Sequence, residues 1–145
     1  TALNQLEKIH AQLDMYLSQS FPNKIELTDG WLLTDDPYVS ARLFPTGFEG
    51  DELPKWYFSV EAELVDGVKD TPFLQKYLSL MNSTYHYAKF TLLKSGKRLA
   101  VYSVITIPAD DLQQKEVIFA LFVTGGLLEH LPDRIRHAIK SKSLN

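Results

Sequence analysis

WYFSVEAELV, residues 56–65, is the stretch of sequence that decides the fold. Large apolar side chains alternate along it with polar or charged ones, which is the period of a β-strand with one face on a core and the other towards water. A slip of one residue would bury two glutamates and expose the apolar set, so the register is firmly set. The residues predicted to face the core are Trp56, Phe58, Val60, Ala62 and Leu64.

Upstream of this strand, apolar residues at three- and four-residue steps predict an amphipathic helix over residues 2–20. Asp29-Gly30 is typical of a tight turn between strands, and Asp35-Asp36-Pro37 is expected to break or bulge the second strand. The strands predicted here are 24–28 and a second, interrupted strand that covers 31–34 and continues over 38–44.

Downstream of it, Asp66-Gly67 is expected to turn the chain, and Thr71 to cap a helix that begins at Pro72. That helix should reach about Asn82, which we expect to be its C-cap. Ser95-Gly96 predicts a hairpin between two further strands. These two strands are predicted over residues 88–94 and 98–107.

The last helix is the most apolar one, and we expect it to be largely buried. Asp110 or Asp111 is expected to cap it, with Gln113 as the capping-box partner of Asp110. Gly125-Gly126 should weaken it, kink it or allow close backbone contact. Pro132 should begin a separate or bent final turn.

The predicted order of elements is therefore α-β-β-β-α-β-β-α, in one domain over residues 1–145. The hairpin signals make the sheet antiparallel, and the apolar helix faces need a sheet face to cover. We predict an α+β fold in which helices pack on a largely antiparallel sheet of about five strands.

The composition is typical of a soluble globular protein: 145 residues, 45% apolar, 23% charged and no cysteine. The longest apolar run is the seven residues 117–123, whereas a membrane-spanning helix needs about 20. No basic stretch followed by an apolar one is visible near the N-terminus. We therefore expect no membrane association and a cytoplasmic location.

Charge is divided unevenly along the chain. Residues 1–72 carry 13 acidic and 5 basic side chains, and residues 73–145 carry 5 acidic and 10 basic ones. Complementary halves are the favoured interpretation, and a basic patch for an acidic partner is the alternative. Nucleic acid is not expected as a partner, because the pI is about 5.8 and no aromatic residues interleave the basic cluster. This cluster comprises Arg134, Arg136, Lys140 and Lys142.

The segment after residue 73 resembles the YbjN-type family. It has a helix ending near Asn82 and Tyr85, the strand Ala88-Lys89-Phe90, a hairpin at Gly96, and a strand ending at Ile107-Pro108 before a long apolar helix. That family is described as bacterial sensory transduction regulators with the fold of type III secretion chaperones. The resemblance spans nearly the whole chain and implies a homodimer, a regulatory or chaperone-like role, and no catalytic residues.

Few side chains are placed for chemistry. Glu61 and Glu63 share a strand face at a spacing compatible with paired carboxylates, but we expect them to be solvated. His130 and His137 are too far apart in sequence for a typical zinc pair. We predict no catalytic, cofactor or metal residues. The loop acids that could gather oxygen ligands, without the spacing of a calcium loop, are Asp35, Asp36, Glu49, Asp51 and Glu52.

Loop aromatics are the candidates for partner binding: Trp31, Phe44, Phe48 and Trp56. Exposed together they would form a patch for a protein partner or a second subunit, and alternatively they plug the open end of the sheet. We therefore predict a non-enzymatic protein-binding module, chaperone-like or regulatory in bacterial signalling, that acts as a homodimer. The alternative function is a small-ligand-binding or enzymatic cone, cystatin-like or ketosteroid-isomerase-like.

Overall fold

The strand predicted from residues 56–65 lies in the middle of the sheet. The computed structural model describes residues 2–50 and 52–144, and within them the chain forms three helices and one six-stranded antiparallel sheet. The strand order across the sheet is β1-β2-β3-β4-β6-β5. The elements are α1 (Ala2–Ser20), β1 (Ile25–Leu27), β2 (Gly30–Thr34), β3 (Val39–Pro45), β4 (Trp56–Val68), α2 (Pro72–Thr84), β5 (Lys89–Ser95), β6 (Arg98–Pro108) and α3 (Gln114–Ser141).

The register predicted for β4 is confirmed, but the strand is longer than expected. Phe58, Val60, Ala62 and Leu64 are all buried, and Val60 pairs with Ala41 of β3 on one side and Ile105 of β6 on the other. The turn predicted at Asp66-Gly67 was wrong. Both residues lie inside β4, where the register with β6 shifts, so the glycine's positive φ serves a bulge instead of a reversal.

Six strands form instead of about five, because the extended stretch from residue 31 to residue 44 folds back on itself as β2 and β3. The predicted break at Asp35-Asp36-Pro37 lies between these two strands. Gly30 holds the pair close. A Cβ atom at this position would lie 2.0 Å from the carbonyl oxygen of Ala41, so any larger residue would push β2 away from β3.

The core lies between the sheet and the helices, chiefly where α3 packs across β4 and β6. The buried side of α3 includes Ala120 and Thr124, whose small side chains let the helix lie near the sheet. α2 packs beside β5, and α1 contacts α3. Phe58 from the sheet, Leu13 from α1 and Leu74 from α2 all belong to this one cluster.

Trp31 fastens α1 to the sheet. Its indole N–H donates to the Asp14 carboxylate (3.1 Å), and its ring stacks on His10 with the centroids 4.6 Å apart. Asp14 also pairs with Lys24 (3.1 Å), which follows the helix. A buried indole needs a partner for its polar N–H, and α1 supplies that partner from a distant part of the sequence.

α2 begins as predicted but ends differently. The Thr71 hydroxyl accepts a hydrogen bond from the Leu74 N–H (3.1 Å), which confirms Thr71 as the N-cap with Pro72 at the first helical position. Asn82 is not the C-cap, because the helix continues to Thr84. The side-chain amide of Asn82 instead bonds the backbone of Phe90 in β5, donating to the carbonyl (3.0 Å) and accepting from the N–H (2.7 Å).

α3 is one continuous helix of 28 residues, so the interruptions expected at Gly125-Gly126 and Pro132 do not occur. Proline removes one backbone hydrogen bond, but buried residues before and after it, Leu131 and Ile135, hold both halves of the helix on the same core. The packing outweighs the local cost of the proline and the glycines.

The cap predicted for α3 was also wrong. Gln113 is the N-cap, and its N–H donates to the Glu116 carboxylate (3.0 Å). The Asp110 carboxylate instead accepts from the backbone N–H groups of Lys55 (2.9 Å) and Trp56 (2.9 Å), at the start of β4. It therefore ties the segment before α3 to the sheet.

Trp31→Ala should lower the free energy of unfolding by about 3–5 kcal/mol, because it empties a fully buried site and leaves Asp14 without its indole partner. Phe48→Ala is the matched control, since this aromatic side chain is half exposed, and its effect should stay within about 0.5 kcal/mol. Urea denaturation measures both. Equal effects of the two substitutions would contradict the placement of Trp31.

Candidate protein-binding surfaces

Three large apolar side chains project from one side of α3 and form what we call the outer stripe: Ile118, Phe119 and Phe122. Their exposed fractions are 53%, 52% and 80%. They lie opposite the buried side of the helix, which includes Val117, Ala120 and Thr124. Each apolar side chain left in water forgoes about 1.5–3 kcal/mol of burial energy, so three together are the mark of a binding surface.

Gly125 and Gly126 continue the outer stripe towards the C-terminus of α3. A Cβ atom at either position would lie more than 4 Å from every described atom outside the neighbouring backbone of α3, so no other element packs closely enough to require glycine. Glycine inside a helix costs about 1 kcal/mol relative to alanine. The pair therefore lowers helix stability without serving a contact that the fold itself makes.

A second exposed apolar surface lies on the loop between β3 and β4, here called the 46–54 loop. Phe48 and Leu53 are about half exposed in it. The loop is tied across its base, where the Thr46 hydroxyl donates to the Pro54 carbonyl (2.8 Å) and the Thr46 N–H donates to that of Lys55 (3.0 Å). Its apolar side chains are thus presented from a braced loop.

The structure separates the four aromatics predicted to bind a partner. Trp31 is 0% exposed, so it belongs to the core and cannot contribute to an exposed patch; this is a correction. Phe44 and Trp56 are half-buried and flank the base of the 46–54 loop, with Phe44 packing on Tyr57 at 5.6 Å between ring centroids. Phe48 is exposed at the loop itself. Partner binding by these last three residues stays a prediction.

Sequence reasoning missed the outer stripe, because it expected the apolar last helix to be largely buried and so left no exposed apolar side to it. Apolar residues occur on both sides of α3, so periodicity alone does not say which side meets the sheet. The available signal was size. The buried face carries the small residues Ala120 and Thr124, which suit close packing on strands.

The face of the sheet opposite the core carries a polar and aromatic group around Tyr102. Its ring meets that of Tyr38 edge-on, with the centroids 6.1 Å apart. Burial raises the pKa of the Tyr102 hydroxyl, and the nearby carboxylates of Glu63 and Glu61 add to the effect. These two glutamates are half-buried, less solvated than expected, and one Glu63 carboxylate oxygen is buried without a hydrogen bond.

Arg42 extends this group towards β2. It pairs with Asp29 (2.6 Å) and donates to the Tyr38 hydroxyl (3.2 Å). Burial alone would lower the pKa of Arg42, but the hydrogen bonds to Asp29 and Tyr38 outweigh it and raise the pKa. The guanidinium is therefore held in its charged form at this face.

The predicted loop acids occupy two separate places. Asp35 and Asp36 line a groove of about 300 Å³ with Glu63, Asp66 and Arg136, while Glu49 and Glu52 lie on the 46–54 loop; Asp51 is outside the described residues. Among the residues described, no group of three or more His, Asp or Glu side chains is arranged to hold a metal ion.

The histidines and the basic cluster near the C-terminus are exposed and partly paired. His130 lies 4.0 Å from Glu129, while His137 lies further along α3. Arg136 pairs with Asp133 (3.3 Å), and Arg134 donates to the Tyr85 hydroxyl (3.4 Å). Partial pairing of this kind weakens the field that a free basic patch would produce.

The raised pKa of Tyr102 predicts a loss of stability in alkali. The folded state holds this phenolic proton more tightly than the unfolded state, so the contribution is full below about pH 10 and is lost as the pH rises further. Tyr102→Phe should therefore flatten the fall in unfolding free energy between pH 8 and about pH 11. Urea denaturation across this range, with the exposed Tyr87→Phe as control, measures it. Equal slopes for both variants would contradict the prediction.

Of the comparisons with known proteins, the one with solved structures finds a similar fold. No family model matches the chain, and no curated protein matches it. Among solved structures, the chain is similar to that of YbjN from E. coli, described as a candidate transcription regulator, with a TM-score of 0.54 and 15% identity over 91% of this chain and 92% of that one. In the described residues, no helix has both the length and the apolarity needed to cross a membrane. The chain has the YbjN-type α+β fold.

Proposed function

We propose that this protein is a non-enzymatic protein-binding module with a chaperone-like or regulatory role in bacterial signalling, acting as a homodimer in the cytoplasm. The observation that carries the proposal is the outer stripe of α3, above all Phe122, which is 80% exposed. Contiguous aromatic and aliphatic side chains of this kind form the energetic centre of protein interfaces. Burying such side chains gains about 1.5–3 kcal/mol each, which is sizeable beside a domain's net stability of about 5–15 kcal/mol.

The fold supports the regulatory part of the proposal. E. coli YbjN, which shares the fold over most of both chains, is described as a candidate transcription regulator. In the present chain we assign that role to protein contacts and not to nucleic acid. The net charge is −3, and Arg136 of the basic cluster is paired within the chain.

The 46–54 loop is the proposed contact for a protein partner other than a second copy. Phe48 supplies the exposed side chain, and Phe44 and Trp56 support it from the ends of β3 and β4. A braced loop loses little conformational entropy on binding, because its backbone bonds already exist in the free protein.

The interior supports a protein-binding role over the cone-shaped ligand or enzyme alternative. A ligand site of that kind places polar and titratable groups inside an apolar cavity. Among the described residues, the buried polar side chains are Ser40, Ser59, Ser103 and Thr124. Glu63 has one buried carboxylate oxygen, but the residue is half-buried and lies with Tyr102 on the sheet face opposite this core. The core side of β4 is apolar from Phe58 to Leu64.

Two substitutions separate the two proposed contacts. Phe122→Asp should abolish co-purification of an untagged copy with a tagged one, because it places a charge in the apolar centre of the surface. Phe48→Asp should keep self-association and lose the other host proteins that the wild type captures. Quantitative mass spectrometry of material purified from the native host measures both.

The matched control is Leu80→Asp, which changes an apolar side chain of α2 that is exposed to about the same extent as Phe48 and belongs to neither surface. It should keep both self-association and the captured proteins. If the Phe122 and Phe48 variants capture the same proteins as this control, including the untagged copy, the proposal is wrong.

A further inference from the structure

We propose that the occupant of the outer stripe is the same stripe of a second copy, with the two α3 helices antiparallel and crossing at Phe122. Lys115 of each copy then lies opposite Glu129 of the other. This inference rests on the proposed homodimer and deepens it, since it names the surface and the register.

The spacing of residues along α3 is symmetric about Phe122. Lys115 lies seven residues before it and Glu129 seven residues after it, about 10.5 Å to either side along the axis. Seven residues are almost two helical turns, so all three point to the same side of α3. In an antiparallel pair related by a two-fold axis, residues equally far before and after the centre face each other.

Side-chain size is complementary in the same register. Ile118 and Phe119 precede the centre by four and three residues, and Gly125 and Gly126 follow it by three and four. The antiparallel pair therefore sets two bulky side chains of each copy against two glycines of the other. Apart from the neighbouring backbone of α3 itself, no atom of the described chain lies within 4 Å of a Cβ placed at either glycine, so the space beside them is open to a second chain.

Charge selects the antiparallel arrangement. Lys115 makes no ion pair with the described residues, and Glu129 has only a contact of 4.0 Å with the exposed His130. In the antiparallel register Lys115 of each copy meets Glu129 of the other, so the dimer contains two such pairs. A parallel register would set Lys115 against Lys115 and Glu129 against Glu129, and such like-charge contacts oppose association.

These features favour a second copy over an unrelated partner. The side of α3 that bears the outer stripe carries bulky residues mirrored by small ones, and a basic residue mirrored by an acidic one, along a single helix. A surface that supplies both halves of its own complement is what an isologous two-fold interface requires. A heterologous partner would need only one half.

Charge reversal tests the register directly. Sedimentation equilibrium should give a dimer for the wild type, and Lys115→Glu or Glu129→Lys alone should each raise the dissociation constant by about tenfold. The double variant exchanges the two charges and should return the constant to within about threefold of the wild type. Lys76→Glu, an exposed reversal on α2, is the control and should change nothing.

Gly125→Gln gives an independent test that does not threaten the fold. A Cβ at this position meets no atom beyond the neighbouring backbone of its own helix, and glutamine is a better helix former than glycine, so the melting temperature of the monomer should hold or rise. The dimer should weaken by at least about tenfold, because the glutamine fills the space meant for a bulky residue of the other copy.

The outcomes distinguish the inference from the function on which it rests. A wild-type chain that stays monomeric at about 100 μM would overturn the homodimer itself, because this concentration is about a hundred times a micromolar dissociation constant. A dimer that is insensitive to the α3 variants would leave the homodimer standing and overturn this surface. A dimer weakened by both single reversals and not restored by the double variant would overturn the antiparallel register.

Discussion

The packing of α3 across β4 is the contact on which the rest of the molecule depends. β4 holds β3 on one side and β6 on the other, and α3 covers its apolar face. Ala120 and Thr124 are small and let the helix lie near the sheet, while the exposed Ile118, Phe119 and Phe122 point away from it. The exposed side of the helix is thus a direct consequence of how its buried side fits the strands.

The alternation in β4, the periodicity of α1 and the hairpin signals were enough to predict an α+β fold with an antiparallel sheet. Both patterns are local, and each has one apolar face. Burial of that face sets the register of the strand and the side of the helix that meets the core. The start of α2 was equally accessible, because Thr71 and Pro72 act on the backbone of their own helix. These parts of the fold follow from residues close together in sequence.

What the sequence did not reveal depends on contacts between distant residues. Asp110 bonds the backbone of Lys55 and Trp56, and Trp31 finds its partners on α1. Nothing in the few residues around either position indicates those partners. The orientation of α3 has the same origin, since a helix apolar on two sides turns towards whichever neighbour the sheet provides.

The two exposed apolar surfaces lie on different kinds of structure, which suits different duties. The outer stripe sits on a long helix whose backbone is fixed by the core, as a permanent interface requires. The 46–54 loop is a connection between strands, and such connections vary most easily as partners change. Under the proposed function, the contact between subunits stays constant while the contact with a partner diverges.

The amide of Asn82 has a consequence for the exposed edge of the sheet at β5. It occupies the hydrogen-bonding positions of Phe90 that face away from β6, where the backbone of an incoming strand would otherwise bind. Lysines at positions 89 and 94 add charge along the same strand, and β1, at the far edge, is only three residues long. Pairing of sheet edges between molecules, which leads to fibrils, is therefore opposed at both edges of the sheet.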